Sequence, residues 1–150
     1  MVVHVLCLRG RKNNPGLEAL RGRYYAHRGL HDGEKPENSM AAFRAALEKG
    51  YGIEFDLHLL KDGTLAVMHD SDLKRTTGQE GHMEDLTLQD LPNYHLGGTD
   101  QVIPTFRQVL DLFDGKAPLI IELKTWKGNA ADLTEAAVQM LKDYKGPYCI

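Results

Sequence analysis

The residues able to do chemistry gather in four short stretches: His27-Arg28, Glu54-Phe55-Asp56, His69-Asp70 and Glu122-Leu123-Lys124. Carboxylates near strand ends can hold a hard metal ion, and Glu54, Asp56 and Glu122 come with no cysteine and no clear histidine ligand set. Such donors favour Mg²⁺ or Ca²⁺ over zinc. An ion of this kind neutralises charge on a phosphoryl oxygen and orients an attacking hydroxyl. His27 and His69 can move protons beside it, one accepting from the attacking group and one giving to the leaving oxygen, each worth about 10²–10⁴-fold. Arg28 and Lys124 can hold an anion between them. The set points to metal-assisted cleavage of a phosphate ester.

Positioning these residues falls to alternating strands and helices. Tyr24–Ala26 reads as a short strand running into His27. Asn38 or Ser39 can cap a helix over Met40–Lys49, with Met40, Phe43 and Leu47 on one face and Gly50 as the stop. Gly52–Leu60 alternates: Ile53, Phe55, Leu57 and Leu59 face one way, Glu54, Asp56 and His58 the other. Lys61-Asp62-Gly63-Thr64 reads as a hairpin turn with Leu65–Met68 as the return strand. With Asp62-Gly63 as the two central turn residues, Lys61 pairs with Thr64, Asp56 lies opposite His69, and Glu54 shares their face. That turn is therefore expected to bring two carboxylates and an imidazole together.

Further on, Ile103-Pro104-Thr105 opens a helix that buries Phe106, Val109, Leu110 and Phe113. Leu119–Leu123 reads as a buried strand, and a helix from about Ala130 to Tyr144 carries Leu133, Ala137, Met140 and Leu141 inward. Tyr148-Cys149-Ile150 begins another strand. Residues 71–102, polar and rich in glycine without sustained periodicity, read as an inserted loop region or small subdomain. The fold class is α/β, with a parallel sheet apart from the hairpin.

The bulk numbers exclude several classes. A chain of 150 residues, 42% apolar and 26% charged, suits a globular domain with a real core. A net charge of −3 gives no nucleic-acid footprint. Arg9, Arg11, Lys12, Arg21 and Arg23 cluster near the start, but no aromatic interleaves with them before Tyr24. Two cysteines near opposite ends form neither a CxxC pair nor a disulfide framework, so a reducing compartment is the default and a cytoplasmic location the expectation. Residues 1–23 form a separate N-terminal segment. Its apolar run Val2–Leu8 is far shorter than the roughly 20 residues a membrane span needs. It reads as a packed strand or as the tail of a longer anchor, which leaves membrane association through a longer N-terminus open.

Several ordered motifs carry a resemblance: His27-Arg28-Gly29, Pro36-Glu37-Asn38-Ser39, Glu54-x-Asp56, Lys61-Asp62-Gly63, His69-Asp70 followed by Arg75-Thr76-Thr77, Ile103-Pro104-Thr105, and Glu122-x-Lys124. In this order, from about Tyr24 to Lys124, the chain resembles the glycerophosphodiester phosphodiesterase family. The resemblance implies a TIM (β/α)₈ barrel, one divalent cation, and hydrolysis of small-molecule glycerophosphodiesters to glycerol 3-phosphate and an alcohol. Carried over by position, Glu54, Asp56 and Glu122 are the metal ligands, and His27 and His69 the acid–base pair. Arg28 and Lys124 contact the substrate phosphate, and Asn38 supports the site. The family's attacking group is the substrate's own glycerol 2-hydroxyl. His27 is assigned as base and His69 as acid, an order the residues leave open.

Two positions depart from the family pattern: Leu60 stands where Thr usually precedes Lys-Asp-Gly, and Ser39 where Thr is commoner after Asn38. A closed (β/α)₈ barrel takes about 250 residues, and five strands can be placed here. Residues 24–150 are thus expected to form the N-terminal part of a barrel. Two rival activities remain: a lysophospholipase-D-like reaction using the same residues with a greasier mouth, and a non-catalytic barrel fragment that binds metal or a partner. Among the other histidines, His58 shares the face of Asp56, while His4, His31, His82 and His95 have no motif context. Trp126 and Lys127, just past the last acid, can shape the substrate mouth or simply pack.

Overall fold

A computed structural model describes residues 15–150. The apolar run Val2–Leu8 and the basic residues Arg9, Arg11 and Lys12 lie outside the described residues. A 3₁₀ turn over Pro15–Leu20 leads into strand β1 (Tyr25–His27), helix α1 (Met40–Glu48), the long strand β2 (Gly52–Leu59) and its hairpin partner β3 (Leu65–Val67). The short helix α2 (Lys74–Thr77) and three 3₁₀ turns follow, then α3 (Phe106–Phe113), β4 (Leu119–Leu123), α4 (Ala130–Leu141) and β5 (Tyr148–Cys149).

The sheet runs β1-β2-β4-β5, every one of these pairings parallel, with β3 antiparallel to β2. On one edge of β2, β1 covers Gly52–Glu54 and β3 takes over at Leu57–Leu59; β4 covers Ile53–Leu57 on the other edge. Helices connect the parallel strands, as parallel crossovers require.

Alternation along β2 decides where the core lies. Ile53, Phe55 and Leu57 point to the helical layer and meet Phe43 and Ala46 of α1, Phe106, Val109, Leu110 and Phe113 of α3, and Leu133, Ala137 and Leu141 of α4. The Phe55 ring sits 5.9 Å from Phe43, edge to face, and 5.8 Å from Phe106, tilted, contacts of the kind aromatic pairs prefer. The opposite face of β2 is left to Glu54, Asp56 and His58.

Local chemistry starts and stops the helices. The Ser39 side chain accepts from the Ala42 amide and caps α1, which frees Asn38 for another use. Thr105 caps α3 through a full capping box with Gln108. Pro104 is not the first helical residue: it belongs to the extended approach, and its carbonyl accepts from the Val67 amide of β3 at 2.9 Å. Helix α4 stops at Leu141, short of the expected Tyr144.

The hairpin differs from expectation by one residue. Leu57 pairs with Val67 and Leu59 with Leu65, so the turn has three residues, Lys61-Asp62-Gly63, with Gly63 at φ +84°. A three-residue loop needs a left-handed third residue, and glycine supplies it. Met68, not His69, therefore stands opposite Asp56, its amide donating to the Asp56 carbonyl at 3.2 Å. Residues 71–102 build a second, smaller core with the far end of the hairpin: Leu73, Met83, Leu86, Leu91 and Leu96 pack on Leu60, Ala66, Met68 and Ile103.

Candidate active site

Parallel register does most of the assembly. His27 ends β1 directly beside Glu54, and Asp56 stands directly beside Glu122 on β4. The two-residue period of β2 puts Glu54 and Asp56 on one face. Glu54, Asp56 and Glu122 each offer an oxygen within 4.8 Å of the others. The cluster lies toward the C-terminal ends of the parallel strands, where (β/α) barrels carry their reactive groups.

The backbone turns sharply after His27 to make room. Arg28 (φ +55°) and Gly29 (φ +83°) are both left-handed, and a Cβ on Gly29 would lie 2.8 Å from Ala42 Cβ. The Arg28 amide donates both to the Glu54 carbonyl at 2.9 Å and to Glu54 Oε2 at 3.3 Å. His27 itself remains open, its Nε2 3.7 Å from Glu54 Oε2 and its side chain 68% exposed.

Asp56 is fully buried. Asn38, held at φ +55°, donates from Nδ2 to Asp56 Oδ2 at 2.9 Å, so the residue expected to support the site touches a carboxylate of the cluster. Lys124 Nζ lies 2.7 Å from Glu122 Oε1 and 3.1 Å from Asp56 Oδ1. The second contact is ionic rather than a directed hydrogen bond, since Asp56 Oδ1 has no aligned donor. Arg28 Nε approaches Asp56 Oδ2 only to 3.7 Å, while its Nη1 meets Glu37 Oε1 at 3.1 Å.

Lys124 is shared between Asp56 and Glu122, and three carboxylates drawn together around one buried member remain costly unless a further cation offsets them. The all-oxygen donor set fits a hard divalent ion. Electrostatics within the cluster agree. Burial and the neighbouring Asp56 charge push the Glu54 carboxyl above its usual range. The Lys124 ammonium holds Glu122 below it. Burial alone would lower Lys124, but its bonds to Glu122 and Asp56 outweigh that and raise it. Glu122 was expected at the end of a buried run; its side chain is instead 54% exposed, because β4 carries it out at the mouth.

His69 reaches this region by a different route from the one expected. Pairing of β3 ends at Val67, and the chain leaves the ladder beyond Met68. His69 is linked to the cluster through side chains instead. Its Nδ1 donates to Asp70 Oδ1 at 2.6 Å. Asp70 Oδ2 accepts from Arg75 Nε, and Arg75 Nη2 meets Glu37 Oε1 at 2.7 Å. One chain of ion pairs thus runs from His69 through Asp70, Arg75 and Glu37 to Arg28. Burial works against Asp70, but Arg75 and His69 still hold its carboxyl below the usual range; Arg75 and then Arg28 do the same for Glu37.

Glu37 and Arg75 carry no role in the sequence reading, and Asp70, although part of one of the four chemical stretches, has no role assigned there; each sits inside a quoted motif. Their signal was an acid or cation adjoining a motif residue with no task of its own. His82, which has no motif context, stacks on Trp126 at 5.1 Å, and Lys127 Nζ lies 5.1 Å over the same indole.

These features define an α/β protein of the (β/α)-barrel type with an acid cluster at its strand ends. Residues 27–145 match the glycerophosphoryl diester phosphodiesterase family, and the chain belongs to it. It is 38% identical over 128 residues to a glycerophosphodiester phosphodiesterase of Caldanaerobacter subterraneus, covering 79% of this chain and 52% of that protein. It is 35% identical over 136 residues to a lysophospholipase D of Rattus norvegicus, covering 82% and 42%. Among solved structures, an Oleispira antarctica phosphodiesterase in complex with sn-glycerol-3-phosphate superposes with a TM-score of 0.78 at 27% identity, over 87% of this chain and 57% of that one. The chain spans about half the length of the curated relatives it matches, and its four parallel strands form part of a (β/α)₈ barrel.

Proposed function

We propose that this chain carries the catalytic half of a metal-dependent glycerophosphodiester phosphodiesterase, releasing glycerol 3-phosphate and an alcohol. The observation that carries this reading is the convergence of Glu54, Asp56 and Glu122 within 4.8 Å beside His27, with the His69–Asp70 pair linked to it through Arg75, Glu37 and Arg28. The relative's bound product, sn-glycerol-3-phosphate, supports the same chemistry. A divalent ion such as Mg²⁺ or Ca²⁺ on the three carboxylates would supply positive charge against the phosphoryl oxygens.

The chain's own side chains do the rest. His27, exposed at the mouth, takes the proton from the glycerol 2-hydroxyl as its oxygen bonds to phosphorus. His69, its Nδ1 committed to Asp70, has only Nε2 with which to give a proton to the departing alcohol oxygen. Water then opens the resulting cyclic phosphate, the imidazoles reversing roles. Arg28 and Lys124 are anchored on acids around the cluster and supply fixed positive charge for the phosphate.

The test is hydrolysis of glycerophosphocholine by the purified chain with Mg²⁺ or Ca²⁺, and with EDTA as control. Activity should vanish with EDTA, and His27→Ala or Glu54→Gln should each lower kcat by ~10²-fold or more. A folded chain inactive with either ion supports the non-catalytic fragment instead. The similarity to a lysophospholipase D favours a second reading; faster turnover of lysophosphatidylcholine than of glycerophosphocholine would select it.

A further inference from the structure

One buried ionisable pair takes no part in the reaction just described. His58 stands two residues beyond Asp56 on the same face of β2, with its side chain 2% exposed. Its Nδ1 meets Glu84 Oε1 at 2.7 Å, and its Nε2 lies 3.3 Å from the backbone carbonyl of His69. Glu84 sits in the 3₁₀ turn Met83–Asp85, with its side chain 10% exposed. Its second oxygen accepts from Ser71 Oγ at 2.5 Å. Burial works against the Glu84 charge, yet His58 and Ser71 keep its carboxyl below the usual range.

The location gives the pair its meaning. The β2–β3 ladder ends just before His69, so strand pairing does not hold the backbone that carries this imidazole. Asp70 and Arg75 hold the ring from outside, through Nδ1. On the inner side, the contacts to residues 69–71 come from His58 at the His69 carbonyl, Glu84 at the Ser71 hydroxyl, and the Met83 amide at the Ser71 carbonyl at 2.8 Å. A buried carboxylate and imidazole are a costly way to fill space unless their bonds fix something in place.

We propose that His58 and Glu84, braced by Ser71, are positioning residues that clamp the His69–Ser71 backbone and so fix the position of the His69 imidazole. The inserted residues 71–102 thereby act on the site through Glu84. The functional consequence rests on the proposed role of His69; the clamp itself does not.

The test uses the full chain with ¹⁵N-labelled histidine. In the native protein His69 should show one tautomer, with the proton on Nδ1 toward Asp70. Glu84→Ala and His58→Phe should free the His69–Ser71 backbone, let the ring swing off Asp70 and so average between tautomers, while Glu84→Gln, which can still accept from His58 and donate to Ser71, should restore the native signal. Should either disruptive variant fail to fold, Ser71→Ala removes one brace only and should shift the same signal part of the way. With turnover, kcat should fall ~10-fold or more in Glu84→Ala and recover in Glu84→Gln, KM staying near the native value. An unchanged His69 tautomer in the folded variants, with only the melting temperature lowered, overturns the clamp. A chain that shows the tautomer change but never turns over substrate upholds the clamp and overturns only the catalytic reading.

Discussion

Asp70 is the residue whose importance the geometry raises most. A histidine with both nitrogens free presents two tautomers; the 2.6 Å bond from Nδ1 to Asp70 selects one and leaves Nε2 available for proton transfer. Arg75 on the far oxygen keeps the carboxylate charged and oriented. Asp70→Asn keeps the shape but can turn an amide N–H toward Nδ1, forcing the other tautomer. Steady-state kinetics should show kcat lowered by ~10²-fold with KM little changed. Asp70→Glu should recover less than the native rate, because the longer side chain displaces the Arg75 contact.

At the scale of elements, the hairpin and α3 decide how the site meets its surroundings. Asp62 in the turn accepts from the Thr64 amide at 3.0 Å with one oxygen and from the Leu88 amide at 2.9 Å with the other. The same residue that shapes the turn thus ties it to the inserted region. Helix α3 delivers Phe106 to Phe55 on the strand that bears Glu54 and Asp56. Its start rests on Thr105, whose hydroxyl accepts from the Gln108 amide at 3.3 Å. Thr105→Ala should destabilise the fold by about 1 kcal/mol. Phe55→Ala, which empties the centre of that core, should cost about 3–5 kcal/mol. Urea unfolding midpoints measure both.

For the whole molecule, acid stability follows from the ion-pair chain. Glu37, Asp70 and Glu84 are all held below the usual carboxylate range by cationic or hydrogen-bonding partners. A depressed carboxylate stabilises the fold above its unfolded value, and that stabilisation is lost as pH falls through the folded value. Glu54, raised by burial and by Asp56, works the other way and is relieved by protonation, but it is outnumbered by the depressed carboxylates, Glu122 among them. The melting temperature should therefore hold from neutrality down to the ordinary carboxylate range near pH ~4 and drop below it. Glu37→Gln and Asp70→Asn should each flatten that drop in thermal melts. Among the described residues no helix is long and apolar enough to cross a membrane.

The sequence by itself determined the elements and the family. Period-2 alternation in Gly52–Leu60, the cap before Met40 and the apolar run Leu119–Leu123 are local properties, and these elements formed where those properties put them, while the helix expected to open at Ile103-Pro104-Thr105 begins only at Phe106. The ordered motifs were equally legible, since a family likeness lies in residue identity and spacing. Tertiary structure decided the rest. A one-residue difference in the Lys61-Asp62-Gly63 turn moved Asp56 from His69 to Met68, because a strand's register depends on a turn's backbone twist rather than its residue types alone. Beyond its neighbour Asp70 and nearby Arg75, the groups that hold His69 come from residues 37, 58 and 84, far apart in the chain. Side chains separated so widely meet only when the sheet, the inserted region and the helical layer pack together, and no local pattern records that meeting.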